Sequence, residues 1–279
     1  MSAQSVVGGD INAAWDVRLA DGRRVFVKSN ARPPPGMFQA EAEGLRFLAA
    51  AASGLVVPEV LASSEHCLIL DWLEPSPGVQ DDELGRGLAR LHQVSPPHFG
   101  LAADNFIGTL RQVNQPRSTG ESGGLAGESE KGSWCEFYRE RRLSAQLGLP
   151  AARRAFGPSE WRCFDRLLNR LDEFVGPQEP PARLHGDLWG GNWMATSGGP
   201  AVFDPAAYGG HREVDLAMMR LFGGFSPRVF AAYQEMSPLA DGASDRVPLY
   251  QLYPLLVHLN LFGGSYARPA LAIAQRYVA

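Results

Sequence analysis

The fold is decided by the stretch LHGDLWGGNW at residues 184–193 and by VFDP at residues 202–205. Apolar residues border both segments, so short strands are predicted on either side of a glycine-rich turn. Asp187 and Asn192 then lie within the turn, and Asp204 follows the next strand. The sequence therefore predicts that an acid, an amide and a second acid act at one site.

This arrangement of oxygen-bearing side chains is typical of phosphoryl transfer. Asp187 would orient the attacking hydroxyl and accept its proton, while Asn192 and Asp204 would hold Mg²⁺, which prefers oxygen ligands and bridges nucleotide phosphates. Taken singly, each of the three would be interpreted as a turn residue, because Asp and Asn are common in turns. Their joint spacing favours catalysis over that interpretation.

The spacing resembles the catalytic and metal-binding loops of the protein-kinase-like superfamily, where HRD-x4-N precedes DFG. Here the first motif is His-Gly-Asp followed by Asn192, and DFG is replaced by Asp204-Pro205-Ala206. The first motif lacks the Arg of HRD, and the segment that begins at Asp204 lacks the Gly of DFG. In both respects the chain resembles the small-molecule branch, which includes aminoglycoside, choline and fructosamine phosphotransferases. The resemblance implies an α+β, two-lobe protein-kinase-like fold, with a small N-terminal lobe of antiparallel sheet plus one helix and a larger, mostly helical C-terminal lobe.

The first 74 residues have the pattern of that small lobe. Asp21-Gly22 between two strand-like runs is a strong hairpin signal. The predicted elements are a hairpin of Val17–Leu19 and Arg24–Lys28, a helix over Met37–Ala52, and strands over Val56–Val60 and Cys67–Leu73. We therefore expect a nucleotide-binding lobe at residues 1–74 and a catalytic and substrate-binding lobe at residues 75–279.

A kinase of this type needs a strand lysine on the ATP phosphates and a helix glutamate that holds the lysine. Lys28 and Glu41 occur in that order before the catalytic loop. Glu43 is a competing partner for Lys28, but Glu41 stands four residues before Leu45 in an E-x3-L pattern like that of the family. Taken alone, Lys28 could be a solvated strand end and Glu41 a first-turn acid.

Two further segments are assigned to ATP by their position. Gly8 and Gly9 precede the hairpin and would form a phosphate lid, although they match neither GxGxxG nor a Walker A motif. Asp71, Trp72 and Leu73 end the last predicted strand of the small lobe. They would form the hinge whose backbone groups hydrogen-bond adenine.

The closest resemblance is to fructosamine/ketosamine 3-kinases, and it extends from about Gly8 to Tyr277. Its most specific segments are LHGDLWGGNW, FDPAAYGGHREVDLAM and LYQLYPLLVHLNLFGGSY. It implies ATP-dependent phosphorylation of the 3-hydroxyl of a ketosamine, a sugar attached to an amine by glycation, and thus a role in deglycation. It implies ATP and Mg²⁺ as cofactors, Asp187 as the base, and Lys28 with Glu41 as the phosphate clamp.

The sugar pocket is less well defined by the sequence. Aromatic rings stack on sugar faces, and an acid could meet the cationic amine of a ketosamine. The candidates are Trp189, Trp193, Tyr208, His211 and His258 for the sugar, and Asp215 or Glu213 for the amine. Packing or helix capping is the favoured interpretation for Trp193, Asp215 and His258, whereas Trp189 lies inside the catalytic loop and is the best candidate.

The segment of residues 114–133 departs from the family, which more often has a shorter connection there. Its polar and glycine-rich composition predicts a flexible insert near the acceptor side. The sequence leaves open whether this insert is ordered and whether it covers the site.

Other functions remain open. One is a phosphotransferase of the same fold that acts on an aminoglycoside or another amino sugar. Another is a silent nucleotide-binding pseudokinase or interaction module, which the intact Lys28, Asp187, Asn192 and Asp204 oppose. A metal hydrolase built on His185 lacks a third clustered ligand.

Composition excludes several classes of partner. With 26 Lys+Arg against 30 Asp+Glu among 279 residues, the formal charge is −4, which argues against a large nucleic-acid surface. No apolar run is long enough to span a membrane, and no signal peptide is apparent.

Cys67, Cys135 and Cys163 are far apart, which predicts reduced thiols in a cytoplasmic protein. The expected partners are ATP and a small molecule, with oligomeric state left open.

Overall fold

The N-terminal part of the chain is an antiparallel sheet covered by one helix. The computed structural model describes residues 2–6, 11–115 and 132–278, so Gly8, Gly9 and most of the predicted insert lie outside the described residues. The five strands have the order β1-β2-β3-β5-β4. They are β1 (Ser2–Val6), β2 (Ala13–Arg18), β3 (Arg24–Ser29), β4 (Val60–Ser63) and β5 (Cys67–Asp71), and the helix α1 is Met37–Ala49.

Helix α1 packs on the sheet through one apolar face. Phe38, Ala42 and Leu45 recur at helical spacing, and all three are buried against Leu68 and Leu70 of β5. This packing fixes the helix relative to the neighbouring strand β3, which is paired with β5 in antiparallel register. The polar residues at the end of β3 are thereby held opposite the polar side of α1.

The predicted hairpin is confirmed as β2 and β3, but the strand predicted over Val56–Val60 is wrong. The strand in this region is β4, which begins only at Val60. Val56 instead pairs with the C-terminal part of the chain: its N–H donates to Pro200 O at 2.9 Å and its carbonyl accepts from Val202 N at 2.9 Å. Hydrogen bonds of the apolar run thus join the two parts of the molecule.

The C-terminal part of the chain is mostly helical. Its helices are α2 (Asp81–Gln93), α3 (Trp134–Phe137), α4 (Ala145–Leu147), α5 (Pro150–Ala155), α6 (Pro158–Asn169), α7 (Glu213–Phe222), α8 (Pro227–Met236), α9 (Ala243–Phe262) and α10 (Ala267–Val278). A π-helical segment, Tyr138–Ser144, joins α3 to α4, and 3-10 turns lie at Leu171–Glu173 and Gly264–Tyr266. The core of this part is built around α9, whose residues are buried on most sides.

Three two-stranded sheets lie among these helices. Their strands are β6 (Asn105–Ile107), β7 (Leu110–Gln112), β8 (Ala182–Leu184), β9 (Trp193–Thr196), β10 (Gly199–Val202) and β11 (Tyr208–Gly210). β8 pairs with β11, and β9 pairs with β10. The predicted glycine-rich turn therefore leaves β8 and enters β9, and Asp204 follows β10 closely.

The predicted α+β architecture is confirmed, with a sheet and one helix followed by a mostly helical region. The boundary between the lobes at residue 74 stays a prediction. Among the described residues, no helix has both the length and the apolar character that crossing a membrane requires.

Candidate active site

The sheet and the helical region enclose a cavity of about 1020 Å³. The described residues that were predicted for catalysis, the metal and ATP line its walls: Lys28, Glu41, Asp71, Trp72, Leu73, Asp187, Asn192 and Asp204. Trp189 and His258, which were predicted for the sugar, also line it. Residues far apart in the sequence thus converge on one cleft.

Lys28, at the end of β3, joins the sheet, α1 and the loop after β10. Its Nζ donates to Glu41 Oε1 at 2.6 Å and to Asp204 Oδ1 at 2.5 Å. Burial by itself would lower the pKa of Lys28, but the carboxylates of Asp204 and Glu41 more than offset this and raise it above the usual value. The competing Glu43 accepts a hydrogen bond from Gln39 on the outer side of α1. Lys28 is therefore a fixed cation inside the cleft.

Asp187 is tied to Asn192 within the turn between β8 and β9. Asn192 Nδ2 donates to Asp187 O at 2.8 Å and to Asp187 Oδ2 at 3.3 Å. Burial, together with the nearby Asp204 carboxylate, raises the pKa of Asp187 to about 7, although the bond from Asn192 opposes the rise. A carboxyl with this pKa can accept a proton near neutral pH.

Asp204 occupies a constrained position beside the turn. Its φ is 58°, a left-handed conformation that is uncommon outside glycine and that recurs at functional sites. The preceding residue, Phe203, donates its N–H to Asn192 O at 3.1 Å and accepts from His185 Nε2 at 2.9 Å. These bonds hold the backbone before Asp204 against the turn between β8 and β9.

The donor chemistry of the cleft fits Mg²⁺. Asn192 uses its amide nitrogen for the bonds within the turn, which leaves its amide oxygen available, and Asp204 keeps one carboxylate oxygen free of Lys28. No group of three or more His, Cys, Asp or Glu that could hold a metal occurs in the part of the chain that the structure describes. A cation here would share its coordination with substrate phosphates, as Mg²⁺ commonly does.

Asp215 does not reach the cavity, so its predicted contact with the substrate amine is corrected. It is fully buried at the start of α7, where Oδ2 accepts from His185 N at 2.7 Å and Oδ1 accepts from Gly186 N at 2.9 Å. Burial alone would raise the pKa of Asp215, but bonding to His92 and to this backbone holds it below its usual value. Asp215 therefore holds the backbone of the turn that follows β8.

Tyr208 and His211 also lie outside the cavity, and their predicted roles in the sugar pocket are corrected. Tyr208 is buried beneath Arg142, whose guanidinium carbon lies 3.8 Å from the centre of the tyrosine ring. His211 is buried against Tyr250 with ring centres 5.5 Å apart, and burial lowers its pKa. Both side chains belong to the core behind the site. Glu213, the alternative acid, is likewise buried.

The partners of two other candidate residues explain their placement. Glu213 Oε1 lies 2.6 Å from Arg246 Nη2, so the carboxylate already forms an ion pair within the protein. Trp193 stacks on Phe225 with ring centres 5.9 Å apart, outside the lining of the cavity. Packing, the favoured interpretation of Trp193, agrees with this placement.

Aromatic residues that the sequence does not single out also line the cavity. They are Phe222, Phe262 and Tyr266, and they surround His258. His258 Nδ1 donates to Pro254 O at 2.8 Å, and burial lowers the pKa of this histidine. The available signal was the segment HLNLFGGSY, which contains three of these four residues.

Comparison with known proteins gives a match over the whole chain. The family model for fructosamine kinase matches residues 1–279. A probable ketoamine kinase from Enterococcus faecium is 38% identical over 267 residues, which cover 94% of this chain and 90% of the relative. A Thermobifida fusca protein assigned as a fructosamine-3-kinase has a crystal structure that superposes with a TM-score of 0.86 at 38% identity, covering 100% of this chain and 93% of that one.

A more distant likeness concerns the fold. An aminoglycoside phosphotransferase, APH(4)-Ia, solved in a ternary complex with AMP-PNP and hygromycin B, superposes with a TM-score of 0.62 at 16% identity. The alignment covers 100% of this chain and 95% of that one. At this identity the likeness bears on architecture alone, and it agrees with the predicted protein-kinase-like fold.

Proposed function

The chain belongs to the fructosamine kinase family, and from this premise we propose that it transfers the γ-phosphoryl group of ATP to the 3-hydroxyl of a ketosamine. It is thus an ATP-dependent kinase with an alcohol group as acceptor. The observation that carries the proposal is the meeting of Lys28, Glu41, Asp187, Asn192 and Asp204 in one cleft. We further propose that the phosphorylation serves deglycation of amines.

The proposed division of labour follows from the charges in the cleft. Lys28, held by Glu41, binds the α- and β-phosphates of ATP. Asp187 orients the attacking hydroxyl of the sugar and accepts its proton as the new O–P bond forms and the bond to ADP breaks. No covalent enzyme intermediate is needed, because positioning and removal of the proton suffice for this transfer.

Mg²⁺, when bound, neutralises charge on the β- and γ-phosphates and supports transfer. Asn192 and Asp204 would hold it through their side-chain oxygens. In the structure Asp204 also binds Lys28 at 2.5 Å. This bond supports the proposal that Asp204 orients the lysine and would share the phosphate end of the cleft with the metal.

The N-terminal lobe supplies the remaining parts of ATP recognition. We assign adenine to the hinge of Asp71, Trp72 and Leu73, which lines the cavity. The phosphate lid is assigned to Gly8 and Gly9, outside the described residues. With the boundary placed at residue 74, residues 1–74 act as the nucleotide-binding lobe and residues 75–279 as the catalytic lobe.

The three cysteines are free thiols, which supports a cytoplasmic location.

Chromatographic assay of ADP release tests the proposal. Wild-type protein is given Mg-ATP with fructosyl-lysine, ribulosyl-lysine or kanamycin as the acceptor. We expect ADP release that depends on the ketosamines and background rates with kanamycin. Kanamycin-dependent turnover without ketosamine turnover would instead favour an aminoglycoside kinase, and no acceptor-dependent ADP at all would favour a silent nucleotide-binding module.

A further inference from the structure

Half of the well-exposed large apolar side chains among the described residues line the cavity. Among the described residues, six large apolar side chains are well exposed, namely Leu61, Val79, Trp189, Phe222, Met236 and Phe262. Three of these, Trp189, Phe222 and Phe262, line the cavity and are 42%, 38% and 51% exposed. Exposed apolar surface gathered in a cleft marks a place where a ligand is bound.

The two phenylalanines belong to an aromatic wall that we define as Phe222, His258, Phe262 and Tyr266. The ring centre of His258 lies 4.6 Å from that of Phe222, 5.4 Å from that of Phe262 and 5.1 Å from that of Tyr266. The ends of α7 and α9 and the turn before α10 supply these rings. Three separate elements thus build one continuous apolar surface.

The aromatic wall carries no formal charge. In the described lining of the cavity, the charged side chains are Lys28, Glu41, Asp71, Asp187 and Asp204, all of them assigned to ATP, the metal or the base. Histidine is the residue type in the wall that commonly titrates near neutral pH. The Nδ1–H of His258 is bound to the Pro254 carbonyl, and burial lowers the pKa of this histidine. At neutral pH the wall is therefore neutral, and it offers π faces to a ligand.

We propose that the aromatic wall is the subsite for the group carried by the amine of the ketosamine, and that it selects hydrocarbon substituents. This inference rests on the proposed function. The protonated amine nitrogen would lie near the aromatic rings, which attract cations, and the attached alkyl or aryl carbons would cover Phe222 and Phe262. A side-chain amine at the end of an alkyl chain, such as that of a glycated lysine, has this chemistry.

The same surface disfavours a carboxylate placed next to the amine. In a glycated α-amino group, the carboxylate stands one carbon from the nitrogen and would be desolvated against rings with no cation to pair with it. A polycationic amino sugar is disfavoured for the complementary reason, since the wall holds no acid to neutralise its several ammonium groups. The wall therefore separates substrates by the atoms beyond the reacting sugar.

The test compares two ketosamines that share the fructosyl group and a secondary amine. Fructosyl-benzylamine carries an aryl substituent, and fructosyl-glycine carries an adjacent carboxylate. We expect kcat/KM to be at least about tenfold higher for fructosyl-benzylamine, a size that aromatic contacts and desolvation of a carboxylate readily supply. In Phe222→Ala and Phe262→Ala this ratio should fall towards one.

Met236→Ala is the matched control, because Met236 is exposed but does not line the cavity. It should keep the wild-type ratio. Equal kcat/KM for the two sugars in wild type, or a ratio unchanged in both phenylalanine variants, would overturn the subsite while leaving the kinase function intact. Absence of turnover with both sugars would overturn the proposed function itself, and the subsite with it.

Discussion

At the residue scale, Asp187 meets two opposing requirements. As the proposed base, it must be buried enough to act on a hydroxyl away from water, yet it must be ionised to accept a proton. Burial and the neighbouring carboxylate of Asp204 destabilise the charged form and raise the pKa of Asp187 to about 7. The residue therefore changes its charge near neutral pH.

The first prediction is a pH profile of kcat/KM for the ketosamine. A raised pKa means that the proton-accepting form of Asp187 is lost as the pH falls, so activity should decline by about tenfold per pH unit below about pH 7. Above that pH, this group should impose no further loss. Initial rates in buffers of constant ionic strength measure the profile, and a flat profile from about pH 5 to 8 would contradict it.

The polar residues that meet in the cleft could be predicted because their order and spacing resemble those of protein-kinase-like phosphotransferases. Lys28, Glu41 and Asp187 are examples. The sequence could not give the direction of side chains on nearby strands and helices. Asp215 and Tyr208 follow the turn between β8 and β9 along the chain, but both are buried away from the cavity. The carboxylate of Asp215 binds the backbone of that turn, and Tyr208 packs in the core.

At the element scale, the catalytic turn depends on a glycine that lets two segments approach. Gly186 has φ 82°, and a Cβ atom there would lie 2.1 Å from the carbonyl oxygen of Ala206. Its N–H also donates to Asp215. Any side chain at this position would separate the turn from the segment that follows Asp204.

The second prediction compares Gly186→Ala with Gly22→Ala. Gly22 has a similar φ of 87° in the β2–β3 turn, but a Cβ atom there meets nothing within 4 Å. Gly22→Ala should cost about 1 kcal/mol of unfolding free energy from backbone strain and leave kcat unchanged. Gly186→Ala should lose more stability and nearly all activity, as measured by denaturant unfolding and ADP release. Equal effects of the two changes would refute the clash.

Prediction of the elements succeeded where local signals were strong. The Asp21-Gly22 pair marks the hairpin, and the spacing of Phe38, Ala42 and Leu45 marks α1. The exposed edge strand β1 has no apolar alternation and was not predicted. The apolar residues that begin at Val56 have the pattern of a strand of the N-terminal sheet. Val56 pairs instead with Ala201 of β10, which is far away in sequence.

At the scale of the whole molecule, Lys28 connects the parts that must come together around ATP. Its bonds to Glu41 and Asp204 reach from the sheet to α1 and to the catalytic region. The arrangement predicts that binding of ATP depends on this one cation.

The overall two-part architecture could be predicted from the family resemblance, whereas the aromatic wall could not, because its rings come from three elements that meet only in the fold.

The third prediction concerns stabilisation by the nucleotide. Mg-ATP at about 100 times its Kd should stabilise the wild-type protein by roughly 2.7 kcal/mol, seen as a rise in Tm. At the same ATP concentration, Lys28→Met should show a much smaller rise, because the phosphates lose their cation. Arg23→Met is the control, since Arg23 pairs with Asp21 on the exposed hairpin. A wild-type shift in Lys28→Met would contradict the assigned role.

The proposed transfer of a phosphoryl group from ATP to a ketosamine depends above all on Asp187. The most direct test is the steady-state rate of ADP release with fructosyl-lysine for wild type and Asp187→Asn, with Tm measured to show that both are folded. We expect kcat of Asp187→Asn to fall by about 10²–10⁴-fold, the usual contribution of a general base. Turnover by Asp187→Asn at the wild-type rate would contradict it.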